Sequence, residues 1–184
     1  LKNGRLTALT VRLEEAIKKE PDNIGLYVTL GNVYDNLYQS AQKENDVVKA
    51  TTYFDKAKKY FAEGLTKDPK NLDANYSLGA LYYNKAATRT QQLNALPEDF
   101  SAEGIKKQTA IHNEIMGLFD QALPYFKRSE SIDPNDINTL IALVEIFARK
   151  EDEAISLAMK KRLDIVKAGG KNQTSFTFSF SSVF

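Results

Sequence analysis

One histidine, 24 acidic side chains and no cysteine are what this 184-residue chain offers for acid–base, thiolate or metal chemistry. His112 stands in Ile111-His112-Asn113-Glu114, which lacks the paired histidines one helical turn apart that hold zinc in H-E-x-x-H. The missing cysteine removes disulfides, thiolate nucleophiles and sulfur-ligated metals together, and it suits a reducing or an oxidising compartment equally. Gly169-Gly170 follows a helical pattern where a phosphate-cradling loop would precede one. Serine and threonine crowd only the C-terminal segment, with no base beside them to activate a hydroxyl. The acidic residues are scattered, mostly near lysines, as solvated helix faces require. These residue types and spacings predict a noncatalytic protein with no cofactor and no metal site.

The elements that would position any binding residue must come from a single soluble unit, because the length suffices for one continuous core but not for two ordinary domains and a linker. Lysine plus arginine number 25 against the 24 acids, for a net charge of +1. That balance creates no long-range field to attract nucleic acid or an anionic membrane. No stretch approaches the roughly 18 apolar residues of a membrane helix. The expectation is a soluble protein, cytoplasmic or periplasmic, with no membrane span. The chain starts at Leu1 and not at Met, which implies that a preceding segment, any signal peptide included, is removed.

Three of the five prolines share one context: Lys19-Glu20-Pro21-Asp22-Asn23, Lys67-Asp68-Pro69-Lys70-Asn71 and Ile132-Asp133-Pro134-Asn135-Asp136. Six residues after each begins a matched group: Tyr27-x-x-Leu30-Gly31-x-x-Tyr34, Asn75-x-x-Leu78-Gly79-x-x-Tyr82 and Leu140-x-x-Leu143-Val144-x-x-Phe147. Eight residues before each stands Leu13, Phe61 or Phe126, preceded four positions earlier by Leu9, Ala57 or Ala122. Agreement on both sides of three anchors marks an internal repeat. Its physical content is a helix hairpin: proline ends one helix, and the following Asp or Asn caps the next. Leu30, Gly31 and Tyr34 share one helical face, with the glycine admitting a neighbouring helix, and Ala57 with Phe61 complement them. Each hairpin leaves an apolar face that only a neighbouring hairpin covers.

This pattern resembles the tetratricopeptide repeat, whose signature runs W-x2-L-G-x2-Y, A-x3-F, P. The resemblance covers roughly residues 6–167 and implies an all-α fold, a right-handed α-solenoid of antiparallel helix hairpins. In those terms residues 1–168 form the repeat domain. Residues 1–20 are the second helix of a partial repeat, and repeats follow at about 22–68, 70–133 and 135–167. Asn75 and Leu140 depart from the signature's opening aromatic, and Val144 from its small residue.

The family period is about 34 residues, whereas the anchoring prolines at 21, 69 and 134 are 48 and then 65 residues apart. The excess falls between the two helices of a hairpin. In the first hairpin it amounts to about two added turns per helix: Leu37, Tyr38 and Ala41 extend one helix, Val47, Val48, Thr51 and Phe54 the other, and the tip lies at 43–46. In the second, residues 85–93 extend one helix and Ile105, Gln108, His112, Ile115 and Phe119 the other, with 94–101 as the loop, Ser101 as a cap and Pro124 kinking the long second helix. A long hairpin arm is predicted, either as added core or as a surface for self-association or a partner.

Ligands of this family usually lie in the concave face of the first helices, which the resemblance carries to Asn32, Asp35, Asn36, Tyr76, Tyr83, Asn84, Glu145 and Arg149. The neighbouring apolar positions are Val28 and Ile141. Amide side chains pair with extended peptide backbone, and tyrosine offers area with a polar handle; the alternative is a merely solvated face. The Lys and Arg clamp for a carboxyl terminus is absent from these places. Residues 152–167 set Ile155, Met159, Leu163 and Val166 opposite Lys160, Lys161 and Asp164, as in a C-terminal capping helix closed by Gly169-Gly170.

Residues 169–184 form an extended or disordered tail. From Thr174 the chain alternates Phe176, Phe178 and Phe180 with small polar residues, ending at Phe184, a period-two strand signal with no sheet to join. A disordered end, docking into a groove of this or a neighbouring subunit, and donation to a partner's sheet edge all stay open. The function expected is a protein–protein interaction scaffold that binds a peptide or protein through the concave face or the arm. The alternatives are a structural subunit of an envelope assembly, docked through the tail, and a regulatory module of a larger enzyme.

Overall fold

Each of the three Pro-x-Asx corners stops one helix and starts another, by the same backbone device. In the computed structural model, which describes residues 2–178 and their side chains from residue 4, the residue before each proline donates its N–H to the carbonyl four back. These bonds are Glu20 to Ala16, Asp68 to Gly64 and Asp133 to Ser129, at 2.8–3.0 Å. The carbonyls of Glu20, Asp68 and Asp133 then accept the N–H three residues on, from Asn23, Asn71 and Asp136. The next helix begins with an Asx oxygen on an orphan amide in two of the three cases: Asn71 Oδ1 accepts from Ala74 N, and Asp136 Oδ1 from Thr139 N. Asn23 departs from that expectation. Its side chain makes no cap bond and donates to Glu20 Oε2 instead.

The described residues form seven helices and no strand: α1 (Lys2–Lys19), α2 (Ile24–Lys43), α3 (Val47–Lys67), α4 (Leu72–Asn94), α5 (Ala102–Ile132), α6 (Ile137–Arg149) and α7 (Glu153–Lys167). Asp46, Ser101 and Asp152 cap α3, α5 and α7 through their side chains. Contacts divide the chain inside α4 into two compact units, Leu1–Leu81 and Tyr82–Phe184.

In the first unit α2 and α3 run antiparallel: Tyr27 lies by Gly64, Gly31 by Phe61 and Tyr38 by Phe54. Their core is Leu30, Tyr34, Leu37, Tyr38, Ala41, Phe54, Ala57 and Phe61, all buried. A Cβ on Gly31 would lie 2.4 Å from the Phe61 ring, so the close approach read from the sequence is real. Glu14 ties three helices together, accepting from the hydroxyls of Tyr34 on α2 and Tyr60 on α3 at 2.9 and 3.1 Å. Those two rings stack within 2° of parallel. One expectation fails at the tip of this hairpin. Val47 and Val48 are about three-quarters exposed and Thr51 is exposed, and the buried stripe of α3 starts at Ala50 and Phe54. The first turn of α3 presents its apolar pair to solvent, and Thr51 turns its hydroxyl back to the Val47 carbonyl.

In the second unit the end of α4 runs antiparallel to α5: Tyr82 stacks on Tyr125, Tyr83 lies against Phe119, and Arg89 pairs with Glu114. Ile105, expected on the inner face of the extended α5, is half exposed, whereas Ile115 and Phe119 are buried. Pro124 sits inside α5. Helix α7 follows the capping pattern, with Met159 and Leu163 buried and Lys160, Lys161 and Asp164 exposed. Its end is a Schellman turn: Gly169, at φ +83°, donates to Val166 and Gly170 to Ile165.

Beyond it, residues 171–178 form neither helix nor strand, with a bend at Gln173 and Thr174, and they lie along α5, α6 and α7 of their own unit. The N–H groups of Asn172 and Phe176 and the carbonyls of Asn172 and Thr174 are met by side chains and not by a sheet. The rest of the phenylalanine alternation, Phe180 and Phe184 included, falls outside the described residues.

Candidate functional site

The residues carried over from the repeat resemblance divide between the two units. On α2, Asn32 and Asn36 are exposed one turn apart, and Asn36 Nδ2 donates to the Asn32 carbonyl at 2.8 Å. Asp35 is half buried and accepts from Gln39 Nε2; burial raises its carboxyl pKa, and that hydrogen bond partly opposes the rise. The Asp35 and Asn36 side chains are thus engaged with their own helix. Tyr76, on α4 within the first unit, is half buried.

In the second unit the sequence brings three candidates together. Tyr83 on α4 and Glu145 and Arg149 on α6 converge over Phe119 of α5. The Tyr83 ring lies 5.7 Å from that of Phe119, and the Arg149 guanidinium 5.7 Å from the same ring. The Tyr83 hydroxyl donates to Glu145 Oε2. Burial, then the Glu145 carboxylate, pushes the Tyr83 pKa up to about 12, so the phenol stays protonated and donating at neutral pH. Glu145 and Arg149 follow one another by four residues and are both exposed. Together they set an acid and a cation beside the half-buried Tyr83 ring, with the buried Phe119 ring as the floor beneath them, an arrangement that can receive a backbone or a charged side chain. Asn84 is half buried on the neighbouring turn. Phe119, which floors this cluster, entered the sequence reading only as arm extension; its spacing to Phe126 is the signal that both face α4, where Tyr83 meets them.

His112 is exposed and lines an open cleft of about 450 Å³ at the α4–α5 turn, with Leu93, Leu96, Pro97, Gln108 and Thr109. Glu114 is held by Arg89 Nε and Nη2 at 3.0 and 2.6 Å. No group of three or more His, Asp or Glu side chains among the described residues is arranged to hold a metal ion. No helix among them is long and apolar enough to cross a membrane.

A second constellation escaped the sequence reading. Glu130 on α5 is fully buried and accepts from Arg162 Nη2 of α7 at 2.6 Å and, through both oxygens, from the Phe176 N–H at 2.9 and 3.0 Å. Burial raises the pKa of this carboxyl, while the Phe176 N–H and Arg162 pull it back down. Arg162 Nη2 also donates to the Thr174 carbonyl at 2.6 Å. One sequence signal does point to this region. Tyr27 Oη and Asn75 Nδ2, each six residues past its proline, donate to the Pro21 and Pro69 carbonyls. Leu140 at the same offset has nothing to donate, and Asn172 Nδ2 serves the Pro134 carbonyl instead, at 2.8 Å.

Neither a protein-family model nor a curated protein matches the chain. The class is therefore defined by architecture: an all-helical protein in which neighbouring helices pack side by side and proline corners recur.

Proposed function

We propose that the chain is a noncatalytic protein-interaction scaffold of tetratricopeptide type, a member of the α-solenoid class, that binds an extended peptide or a protein segment. Support for the repeat assignment comes from the corners at Pro21, Pro69 and Pro134, which share one backbone turn, and from the Gly31–Phe61 fit between paired helices. The observation that carries the binding reading is the cluster of Tyr83, Glu145 and Arg149 over Phe119. It supplies an acceptor, a cation and the half-buried Tyr83 ring within one side chain's reach, on neighbouring helices of one unit.

Selection from a displayed peptide library tests the reading. The wild-type chain is expected to enrich a defined peptide pattern. Exchanging the charges through Glu145→Arg with Arg149→Glu should invert the charge preference of the selected peptides while leaving helicity intact. Failure to enrich any pattern, or a pattern indifferent to the exchange, would sink it.

A further inference from the structure

The segment after α7 is held like a ligand. Asn172 anchors it: its buried side chain donates to the Pro134 carbonyl at 2.8 Å and to the Arg162 carbonyl at 3.3 Å, and its N–H donates to Asn135 Oδ1 at 2.7 Å. Two residues on, the Thr174 carbonyl accepts from Arg162, and two further on the Phe176 N–H meets the Glu130 carboxylate. The alternation then puts aromatic rings into the groove. Phe178 stacks on Phe147 of α6 with centroids 6.0 Å apart, Phe176 meets Phe178 edge-on at 4.9 Å, and Lys127 Nζ lies 4.7 Å from the Phe178 centroid.

These contacts have the form of extended-peptide recognition, in which backbone groups at alternate residues are met by fixed partners and side-chain pockets read the rest. The helices supply what a peptide backbone needs, an acceptor in Glu130 and a donor in Arg162. A carboxylate buried completely is costly unless its lone pairs are met, and the Phe176 N–H engages both of its oxygens. Gly169 and Gly170 join the segment to α7 through the Schellman turn, with Gly169 in the left-handed region.

We propose that the groove formed by α5, α6 and α7 is a receptor site for extended peptides with phenylalanines two residues apart, kept occupied by the chain's own residues 172–178. This site uses Lys127, Glu130, Asn135, Phe147 and Arg162, and it stands independently of the Tyr83 cluster. The tethered segment competes with any outside peptide at an effective concentration of about a millimolar, so the intact chain is a closed receptor.

The test uses the full-length chain with Phe176→Ala and Phe178→Ala, which removes the ring stacked on Phe147 and its edge-on partner, and a fluorescent synthetic peptide of residues 171–178. The double variant should bind the peptide one to one, and the wild type at least about tenfold more weakly because its own segment competes. A peptide with both phenylalanines replaced by alanine should not bind. Glu130→Gln added to the double variant should weaken binding about tenfold, since hydrogen bonds to a charged group contribute about 1.5–3 kcal/mol.

No binding by the folded double variant, equal binding by the alanine peptide, or equal affinity of wild type and variant would each overturn the proposal. So would loss of the helical fold in the double variant, which would make the segment part of the structure and not a ligand. A wild-type dimer that becomes monomeric in the double variant would place a second copy's segment in the groove and overturn the occupancy within one chain.

Discussion

Gly31 is the residue on which the first unit's packing turns, because the Phe61 ring occupies the space a side chain would fill. Three ring carbons lie 2.4–2.9 Å from the position of a Cβ there. Phe61 is only 1% exposed, so its ring cannot swing out to solvent without opening the core. Gly31→Ala gains helix propensity worth about 1 kcal/mol, but overpacking costs about 1–3 kcal/mol, and backbone helices cannot part without opening the Leu30, Tyr34 and Ala57 contacts. The expected outcome is a net loss of up to about 2 kcal/mol, read as a lower urea midpoint at unchanged slope. A midpoint at or above wild type would show that the ring moves freely and that the close approach is incidental. This pair was legible in the sequence, since glycine and phenylalanine recur at fixed offsets from the proline. The Glu130–Phe176 bond was not: 46 residues separate the partners, and nothing about a glutamate in a helical run announces that it is buried.

Helix ends were the most legible elements, and for a definite physical reason. Stop and start signals are local, so Pro-x-Asx corners, the cap at Ser101 and the glycines after α7 can each be read from five or six residues. The inner faces of the extended hairpins were less so. Val47, Val48 and Ile105 have the right type and spacing, yet they fall in or next to the first turn of a helix just past a hairpin tip, where they stay exposed. The helix terminators also carry a prediction.

Three helices end with a residue in the left-handed region: Asn45 at φ 55°, Glu151 at φ 59° and Gly169 at φ 83°. Each makes the paired bonds of a Schellman turn; at the end of α6, Glu151 donates to Ala148 and Asp152 to Phe147. Glycine adopts this conformation freely and asparagine tolerates it, whereas a residue with a longer side chain bears about 1–2 kcal/mol of steric cost. Glu151→Gly relieves that cost at the expense of a more flexible unfolded chain. It should therefore stabilise the protein by about 1 kcal/mol, and Asn45→Gly by less. Equilibrium denaturation of both variants checks the order; a destabilised Glu151→Gly would mean that the glutamate side chain contributes something its exposed position does not show.

At the scale of the whole molecule, a net charge of +1 means that no global field holds the chain together or recruits a partner, so local contacts decide its stability. The segment after α7 shows this most directly. Residues 172–176 bond to the α5–α6 corner, to α5 and to α7, and Phe178 adds the aromatic contact with α6. Ordering an extended segment costs about 1–2 kcal/mol per residue, which cancels most of what two half-buried phenylalanines and the polar contacts contribute. Its removal nevertheless leaves Glu130 without the amide that both of its oxygens accept, and stripping a buried group of its partner costs about 1–3 kcal/mol. Deleting residues 171–184 should accordingly lower the melting temperature by about 2–12 °C, given roughly 2–4 °C per kcal/mol for a chain of this size. Helical content by circular dichroism should stay the same, because residues 171–178 contribute no helix and the Schellman turn at Gly169 remains. A melting temperature unchanged by the deletion would mean that ordering cost and contact energy cancel. A collapse of helicity would instead make the segment a keystone for α5, α6 and α7, with no exchangeable ligand left to displace.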